Sequence, residues 1–279
     1  MFEPDSIRRL ASDDVEACVD LVTSIGWDTD TDRWRRMLFL GEGHGVVVAD
    51  GTLAGTIVLF AFGSELSMIG MMVVRPACQR RGVGRGLMEH ALHRSRSRLS
   101  CLYATPSGER LYRRLGFVES GSSTRFEGKP TPSTDPPPVE LRAMTRADLG
   151  AVIDIDQAAQ GERREALITS LVDRHDGAWV VEPAGRVVAF GVAVSERGTR
   201  RLGPIVAPLD ADAVALADRL ALDAPRVLLD LEPGERVLRT WVDARGLDEG
   251  QTSLRMTLGP GVLPGARSWS RAIAGRPFG

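Results

Sequence analysis

An apolar run of strand character leads into a glycine-rich turn and then a helix over residues 71–88, and this stretch most constrains the chain. The apolar residues stop at Pro76, and the turn reads Gln79-Arg80-Arg81-Gly82-Val83-Gly84-Arg85-Gly86. Backbone N–H groups at the start of a helix have no partner within it, and the helix dipole favours negative charge there. Glycine keeps the approach free of side chains. The segment therefore predicts an anion site, suited to a pyrophosphate.

The spacing of these glycines excludes two other phosphate motifs. The dinucleotide fingerprint needs G-x-G-x-x-G, and the ATP loop needs G-x-x-x-x-G-K followed by Ser or Thr. This loop instead reads Gln79-x-x-Gly82-x-Gly84 and has no lysine. The spacing resembles the acyl-CoA signature, Q/R-x-x-G-x-G/A, of the GNAT N-acetyltransferase superfamily. The alternative is a glycine-rich turn that enters an ordinary helix.

A second segment is similar to the Y-x-x-L-G-F pattern that closes GNAT domains. Residues Leu99–Ala104 read as a buried strand, and Pro106 suits the first position of a helix. That helix carries Tyr112-Arg113-Arg114-Leu115-Gly116-Phe117, and a strand follows to Arg125. The resemblance is closest to bacterial tandem GNAT proteins. It implies an α/β (α+β) fold of two GNAT-like domains, each a mixed, largely antiparallel sheet flanked by helices.

The two halves of the chain repeat one another on either side of a proline-rich stretch. Gly116-Phe117 and Arg125-Phe126 match Gly246-Leu247 and Arg255-Met256 at a constant offset. An internal duplication is the simplest account, although any two α/β domains share some of this pattern. We therefore predict a catalytic GNAT domain over 1–128, a linker over 129–138 and a diverged GNAT-like domain over 139–279.

The second half lacks the chemistry-bearing residues of the first. Gly203-Pro204-Ile205-Val206-Ala207 stands where Gly70 to Val74 stands, and a helix from about Asp210 to Leu222 follows almost at once. The glycine loop has no counterpart, and Val242 occupies the position of Tyr112. We predict that this half binds no CoA.

The resemblance implies an N-acetyltransferase that moves an acetyl group from acetyl-CoA directly to a primary amine. It also implies the residues that contact the donor: Met72, Val73, Val74, Gln79, Arg80, Arg81, Gly82, Val83, Gly84, Arg85 and Gly86. Tyr112 stands where the family places a general acid, or an orienting donor, for the departing thiolate. Its alternative is an ordinary tyrosine on an amphipathic helix. The alternative for the whole chain is a CoA-binding regulatory or scaffold protein without turnover.

The general base and the acceptor pocket are less defined. Many GNAT enzymes carry a glutamate on the strand before the loop, but residues 67–74 contain no carboxylate. Glu65 lies just before them and is predicted to act directly or through water, unless it is an exposed turn residue. The implied acceptor pocket is partly apolar, although its residues also suit a core: Trp27, Trp34, Met68 and Met71. The expected acceptor is a small-molecule amine or a peptide amine.

Composition narrows the partners. The 35 basic and 37 acidic side chains leave a formal net charge of −2, so neither nucleic acid nor a membrane is expected as a partner. The chain has no apolar run near eighteen residues, and we expect a cytoplasmic protein. His44 stands at the start of a predicted strand, after Gly41-Glu42-Gly43, and is interpreted as a loop residue. His90 and His93 are interpreted as a helix surface without a third ligand, so no metal is expected. Nothing in the sequence indicates an oligomeric state.

Overall fold

The structure is a computed structural model, and it describes residues 7–27, 29–133 and 139–279. The beginning of the predicted first domain and residues 134–138 of the predicted linker lie outside the described residues. The chain forms two compact units. Unit 1 contains the described residues up to Leu102 together with Leu258–Pro260, and unit 2 contains Tyr103–Thr257 and Gly261–Gly279. These units divide the chain at a different point from the predicted domains, which stay a prediction.

Unit 1 is a helix-flanked sheet in the strand order β1-β2-β3-β4-β5. Its strands are antiparallel apart from the parallel pair β4–β5. The last two residues of β5 are grouped with unit 2. The elements are β1 (Ile7–Arg9), α1 (Val15–Thr23), α2 (Thr31–Leu40), β2 (Glu42–Val47), β3 (Leu53–Ala61), β4 (Leu66–Val74), α3 (Val83–Arg94) and β5 (Leu99–Ala104).

Helix α3 packs closely on β3 because Gly55 leaves room for it. A Cβ atom at position 55 would meet Leu87 Cδ1 at 3.0 Å and Val83 Cγ1 at 3.1 Å. Leu87 and Val83 are buried, as are Ile57 and Val58 on β3. This packing fixes the position of the first turn of α3 relative to the sheet.

Unit 2 begins with the last two elements of the first repeat, α4 and β6, and its elements from β7 to β12 follow the same order as those from β1 to β6. Its sheet has the order β12-β6-β11-β10-β9-β8-β7, with β13 paired to β10, and β10–β11 is its parallel pair. The elements are α4 (Pro106–Arg114), β6 (Val118–Gly128), β7 (Leu141–Ala143), α5 (Leu149–Gln160), α6 (Glu165–Val172), β8 (Gly177–Val181), β9 (Ala189–Glu196), β10 (Thr199–Val206), α7 (Asp210–Ala221), β11 (Val227–Leu231), α8 (Arg236–Ala244), β12 (Asp248–Leu258) and β13 (Ser270–Ala272). The predicted mixed, largely antiparallel sheets with flanking helices are confirmed.

The final strands of the two halves pair with each other. Helices α4 and α8 begin 130 residues apart, and so do strands β6 and β12. Strand β6 lies between β12 and β11, with Phe126 opposite Leu229 and Ser123 opposite Ser253. A strand from the first sequence repeat thus completes the sheet of the second.

Candidate active site

A β-bulge interrupts β4 just before the glycine loop. Val58 pairs with Gly70 and Thr56 pairs with Val73, so one β3 residue lies opposite both Met71 and Met72. Met71 has a φ of +50°, an uncommon value for a residue with a side chain. The buried Thr56 hydroxyl donates to the Met71 carbonyl at 2.9 Å and supports this conformation. A bulge bends a strand and increases its twist, which turns the end of β4 away from β5.

Strands β4 and β5 are joined only at one end. Their registered pairs are Leu66–Leu99, Ser67–Ser100 and Met68–Cys101, and within the described part of unit 1 the pairing stops there. The Ser67 hydroxyl lies 3.1 Å from that of Ser100 and closes this end. Beyond Met68, the edge of β4 that faces away from β3 offers backbone N–H and C=O groups to a ligand.

Arg75 fixes the point at which the chain leaves β4. Its N–H donates to the Ala54 carbonyl at 2.8 Å, and its guanidinium reaches the Leu53 carbonyl at 3.2 Å and the Asp20 carboxylate at 2.6 Å. The Gln79 side chain then folds back and donates to the Val74 carbonyl at 3.1 Å. The beginning and the first turn of the loop are therefore tied to the strand.

The loop opens α3 with unpaired N–H groups. Arg80 and Gly82 have φ angles of +60° and +91°, and Gly82 is the residue that precedes the helix. The first helical hydrogen bond runs from the Gly86 N–H to the Gly82 carbonyl at 2.9 Å. The N–H groups of residues 83–85 therefore have no acceptor within the helix.

The charges around this helix start call for an anion. Helix N-termini favour acidic side chains, yet the first turn of α3 has none and carries Arg85 instead. Arg80 and Arg81 are exposed and form no ion pair with any residue the structure describes. Arg85 forms an exposed pair with Glu89 at 2.7 Å. An anion at the N–H groups would offset this local excess of positive charge.

Tyr112 lies on α4, in unit 2. Its side chain is buried, and its ring meets Phe117 edge to face with a centroid separation of 6.0 Å. The Tyr112 hydroxyl makes no hydrogen bond to any residue of the described ranges. Burial raises the pKa of Tyr112 above its ordinary value, so the phenol stays protonated.

Two family models match the chain, each described as an acetyltransferase (GNAT) domain, at residues 41–119 and 152–268. The chain belongs to the GNAT acetyltransferases. It is an acyltransferase with two GNAT domains in tandem, as the sequence predicts. YitH of Bacillus subtilis strain 168, an uncharacterised N-acetyltransferase, is 26% identical over 221 residues, 78% of each chain.

Solved structures agree with this fold. A proposed acetyltransferase from Pyrococcus horikoshii superposes with a TM-score of 0.81 at 20% identity, covering 98% of this chain and 95% of that one. A tandem GNAT protein from the clavulanic acid biosynthesis pathway gives 0.68 at 16% identity, covering 91% and 99%. No described helix is long and apolar enough to cross a membrane.

Glu65 is not brought to the GNAT loop or to the bulge. It lies at the other end of β4, where its carboxylate accepts from Arg98 Nε at 2.7 Å. Six residues of strand separate it from Met71, which is roughly 20 Å at about 3.3 Å per residue. Its ion pair is partly exposed, as expected for a turn residue.

The predicted acceptor residues of this GNAT domain differ in exposure. Trp27 is 42% exposed, whereas Trp34 and Met68 are fully buried among the core residues of unit 1. Met71 is nearly buried and forms the bulge. Trp34 and Met68 are therefore core residues of unit 1. Of the four, Trp27 is the one that exposes a large apolar surface to solvent.

The interpretation of His44 as a loop residue is wrong. His44 lies in β2, is 5% exposed, and its ring centroid is 4.5 Å from that of His90 on α3. Burial, with help from His90 and Arg94, lowers the pKa of His44 to about 4. On α3, His90 is half-buried and His93 is exposed. The strand already begins at Glu42, two residues before His44, and continues through Gly45 into the apolar residues Val46 and Val47.

Proposed function

We propose that this GNAT protein transfers an acetyl group from acetyl-CoA directly to the primary amine of an acceptor. The observation that carries the proposal is the junction of β4 and α3. There a bulged strand with an open edge leads into a left-handed glycine turn and three unpaired N–H groups. The strand edge suits the amides of CoA. Arg80, Arg81 and the N–H groups, which follow it along the chain, suit the pyrophosphate.

The residues of unit 1 divide the binding of the donor between them. The N–H groups of residues 83–85 donate to phosphate oxygens, while Arg80 and Arg81 offset the charge of the phosphates. Gln79 holds the loop against the Val74 carbonyl. The backbone of residues 72–74 pairs with the amides of the pantetheine arm, as a sheet edge pairs with an added strand.

The chemistry is acyl transfer through a tetrahedral intermediate. The neutral amine attacks the thioester carbonyl, so that a C–N bond forms and the C–S bond breaks. The Met72 N–H, at the bulge, donates to the oxyanion that develops. The position of Tyr112 in its motif supports a role as the donor of a proton or a hydrogen bond to the departing sulfur. The attacking amine loses its proton to water, and Glu65 is left out because Arg98 holds it at the far end of β4.

A second candidate is a CoA-binding protein without turnover. It is favoured by the absence of a carboxylate on β4 beside the bulge. In the first candidate, the acceptor is a small-molecule amine or a peptide amine.

A thiol-release assay separates the two candidates. Acetyl-CoA is incubated with the full chain and a panel of small amines, amino acids and peptides, and free CoA thiol is measured. Amine-dependent release that Gly84→Glu abolishes supports the enzyme. Tight acetyl-CoA binding by calorimetry with no release across the panel supports the silent binder.

A further inference from the structure

The bulge of β4 recurs in the second half. On β10, Leu202 pairs with Ala193 and Ile205 with Gly191, so a single β9 residue lies opposite both Gly203 and Pro204. The same pattern places Met71 and Met72 opposite one residue of β3. By the position of the bulge, Gly203 therefore corresponds to Met71 and Pro204 to Met72, which shifts the alignment predicted from the sequence by one residue. Proline has no N–H, so the second half lacks the oxyanion donor proposed for the first.

Strands β10 and β11 also part, as β4 and β5 do. Their registered pairs are Arg200–Val227 and Arg201–Leu228, and beyond these no further pair occurs in the described part of unit 2. The corresponding gap between β4 and β5 in unit 1 is the one proposed to bind the pantetheine arm. The second half thus retains the shape of a donor cleft.

In the second half, β13 and the residue that follows it fill the gap between β10 and β11. Strand β13 pairs antiparallel with the free edge of β10, with Ala272 opposite Ile205 and Ser270 opposite Val206. On the other side, the Ile273 N–H donates to the Asp230 carbonyl of β11 at 3.2 Å. Ala272 and Ile273 are both buried.

The carbonyl of Ile273 lies over the bulge. A Cβ atom at Gly203 would overlap that carbonyl oxygen, and Gly203 has a φ of +149°. A peptide carbonyl therefore lies against the bulge residue of β10 that corresponds to Met71 of β4. Glycine is needed here for both the backbone angle and the close approach.

The phosphate end of the cleft is filled as well. Only residues 207–209 connect β10 to α7, compared with residues 75–82 between β4 and α3. Arg271 donates to the Ala207 carbonyl at 2.7 Å and the Pro208 carbonyl at 3.0 Å, and pairs with Asp210 at 2.9 Å. Asp210 lies in the first turn of α7 and supplies the negative charge that the helix start favours.

Further bonds hold the segment of residues 266–279, here called the closing segment. Arg276 lies 3.2 Å from the Asp230 carboxylate and donates to the Ser253 hydroxyl at 2.9 Å. The buried Arg164 pairs with Asp156 and donates to the Phe278 carbonyl at 3.0 Å. These contacts use side chains of unit 2 that have no role in the proposed transfer.

We propose that the closing segment is a built-in peptide ligand of the second GNAT half, and that it occupies a latent pantetheine site. The proposal rests on the proposed use of the β4 edge in the first half. By this proposal, the second half not only lacks the phosphate loop but also has its pantetheine site physically blocked by the closing segment. The expected stoichiometry is one acetyl-CoA per chain even at saturating donor.

Gly203→Ala tests the proposal in the full chain, because the new methyl group collides with the Ile273 carbonyl. Gly198→Ala is the matched control, since Gly198 also has a positive φ, +82°, but a Cβ added there would meet no atom within 4 Å. We expect hydrogen exchange at the Ala207 amide, which donates to the Trp269 carbonyl, to rise at least tenfold in Gly203→Ala alone. Pantetheine at millimolar concentration then slows that exchange in Gly203→Ala but not in the wild type.

These readouts need no donor in the first half, so they stand whether or not acetyl transfer is found. If Gly203→Ala does not fold, Arg271→Gln is used instead, because it removes the hydrogen bonds to the Ala207 and Pro208 carbonyls. Hydrogen exchange at the Ala207 amide is then measured in that variant. The proposal is overturned by rapid Ala207 exchange in the wild type, by equal exchange in both glycine variants, or by a released edge that pantetheine leaves unprotected. A calorimetric stoichiometry of two acetyl-CoA per wild-type chain also overturns it.

Discussion

The ring of Tyr112 lies across the Cα of Gly108, one turn earlier on α4. A Cβ atom at position 108 would meet the ring at Cε2 at 2.8 Å and the hydroxyl oxygen at 3.1 Å. Gly108 is buried and helical, and its φ is not in the left-handed region. Its absent side chain therefore determines where the Tyr112 hydroxyl can lie.

Gly108→Ala is predicted to displace the Tyr112 ring without removing the hydroxyl. A displacement of about 1 Å in a catalytic group can cost roughly 10²-fold in rate, so we expect turnover to fall at least tenfold. Acetyl-CoA affinity by calorimetry should stay within about twofold of wild type. Gly150→Ala on α5, where a Cβ would meet no atom within 4 Å, is the control and should add about 0.5–1 kcal/mol of stability at full activity. Wild-type turnover in Gly108→Ala would contradict a catalytic Tyr112.

Tyr112→Phe keeps the ring and its contact with Phe117 but removes the hydroxyl. A positioned general acid contributes about 10²–10⁴-fold to rate, so turnover should fall by that factor. Acetyl-CoA affinity and melting temperature should change little, because the hydroxyl makes no bond to the described residues. A loss smaller than about threefold with a good acceptor would make Tyr112 a packing residue, with water as the proton donor.

Gly84→Glu places a carboxylate at the second position of α3, where the phosphates are proposed to lie. Steric overlap and like charge should abolish acetyl-CoA binding, while circular dichroism remains that of the wild type. Gly150→Glu is the matched control, since Gly150 is the second residue of α5 and lies in open space. Binding that survives in Gly84→Glu would remove the loop from the donor site.

Thr56→Val removes the hydroxyl that supports the Met71 carbonyl while keeping the volume of the side chain. The buried carbonyl is left unsatisfied, which costs about 1–3 kcal/mol of stability in urea unfolding. Because the bulge positions the Met72 N–H, kcat should fall several-fold with little change in the KM for acetyl-CoA. Thr56→Ser should restore kcat, whereas equal kcat in all three proteins would leave Thr56 a purely structural role.

The His44–His90 pair predicts acid sensitivity. Burial first, then His90 and Arg94, lower the pKa of His44 from 6.5 to about 4, while Glu42 opposes the shift and Arg9 adds to it. The unfolded chain therefore takes up this proton near pH 6.5 and the folded chain only near pH 4. The contribution of neutral His44 to the free energy of unfolding should be complete above pH 6.5 and be lost as the pH falls to 4, by at most about 3 kcal/mol.

Urea unfolding at several pH values between 7.5 and 4.5 checks this prediction. His44→Leu should flatten the pH dependence, because it removes the group that differs between the two states. His175→Leu, at an exposed position, should leave it unchanged. A slope that persists in His44→Leu would assign the acid sensitivity to other groups, His90 among them.

Local sequence signals determined the family and the elements. The apolar run before Pro76, the glycines at 82 and 84 and the strand of Leu99–Ala104 act over a few residues, through helix starts, positive φ angles and continuous apolar stretches. These signals were enough to predict the tandem GNAT fold. They also predicted that the second half has no counterpart of the glycine loop, and in the structure only residues 207–209 connect β10 to α7.

Only the tertiary structure decided which distant groups meet. The bulge at Met71 depends on a hydroxyl from β3, and Glu65 is held by Arg98, which is 33 residues away. Strand β6 pairs with β11, and the closing segment pairs with β10. The unpaired N–H and C=O groups of a strand edge form hydrogen bonds with any segment that reaches them, however distant it is in sequence. Such pairings depend on long-range register and on burial of both partners, and a sequence pattern that repeats every two or four residues carries neither.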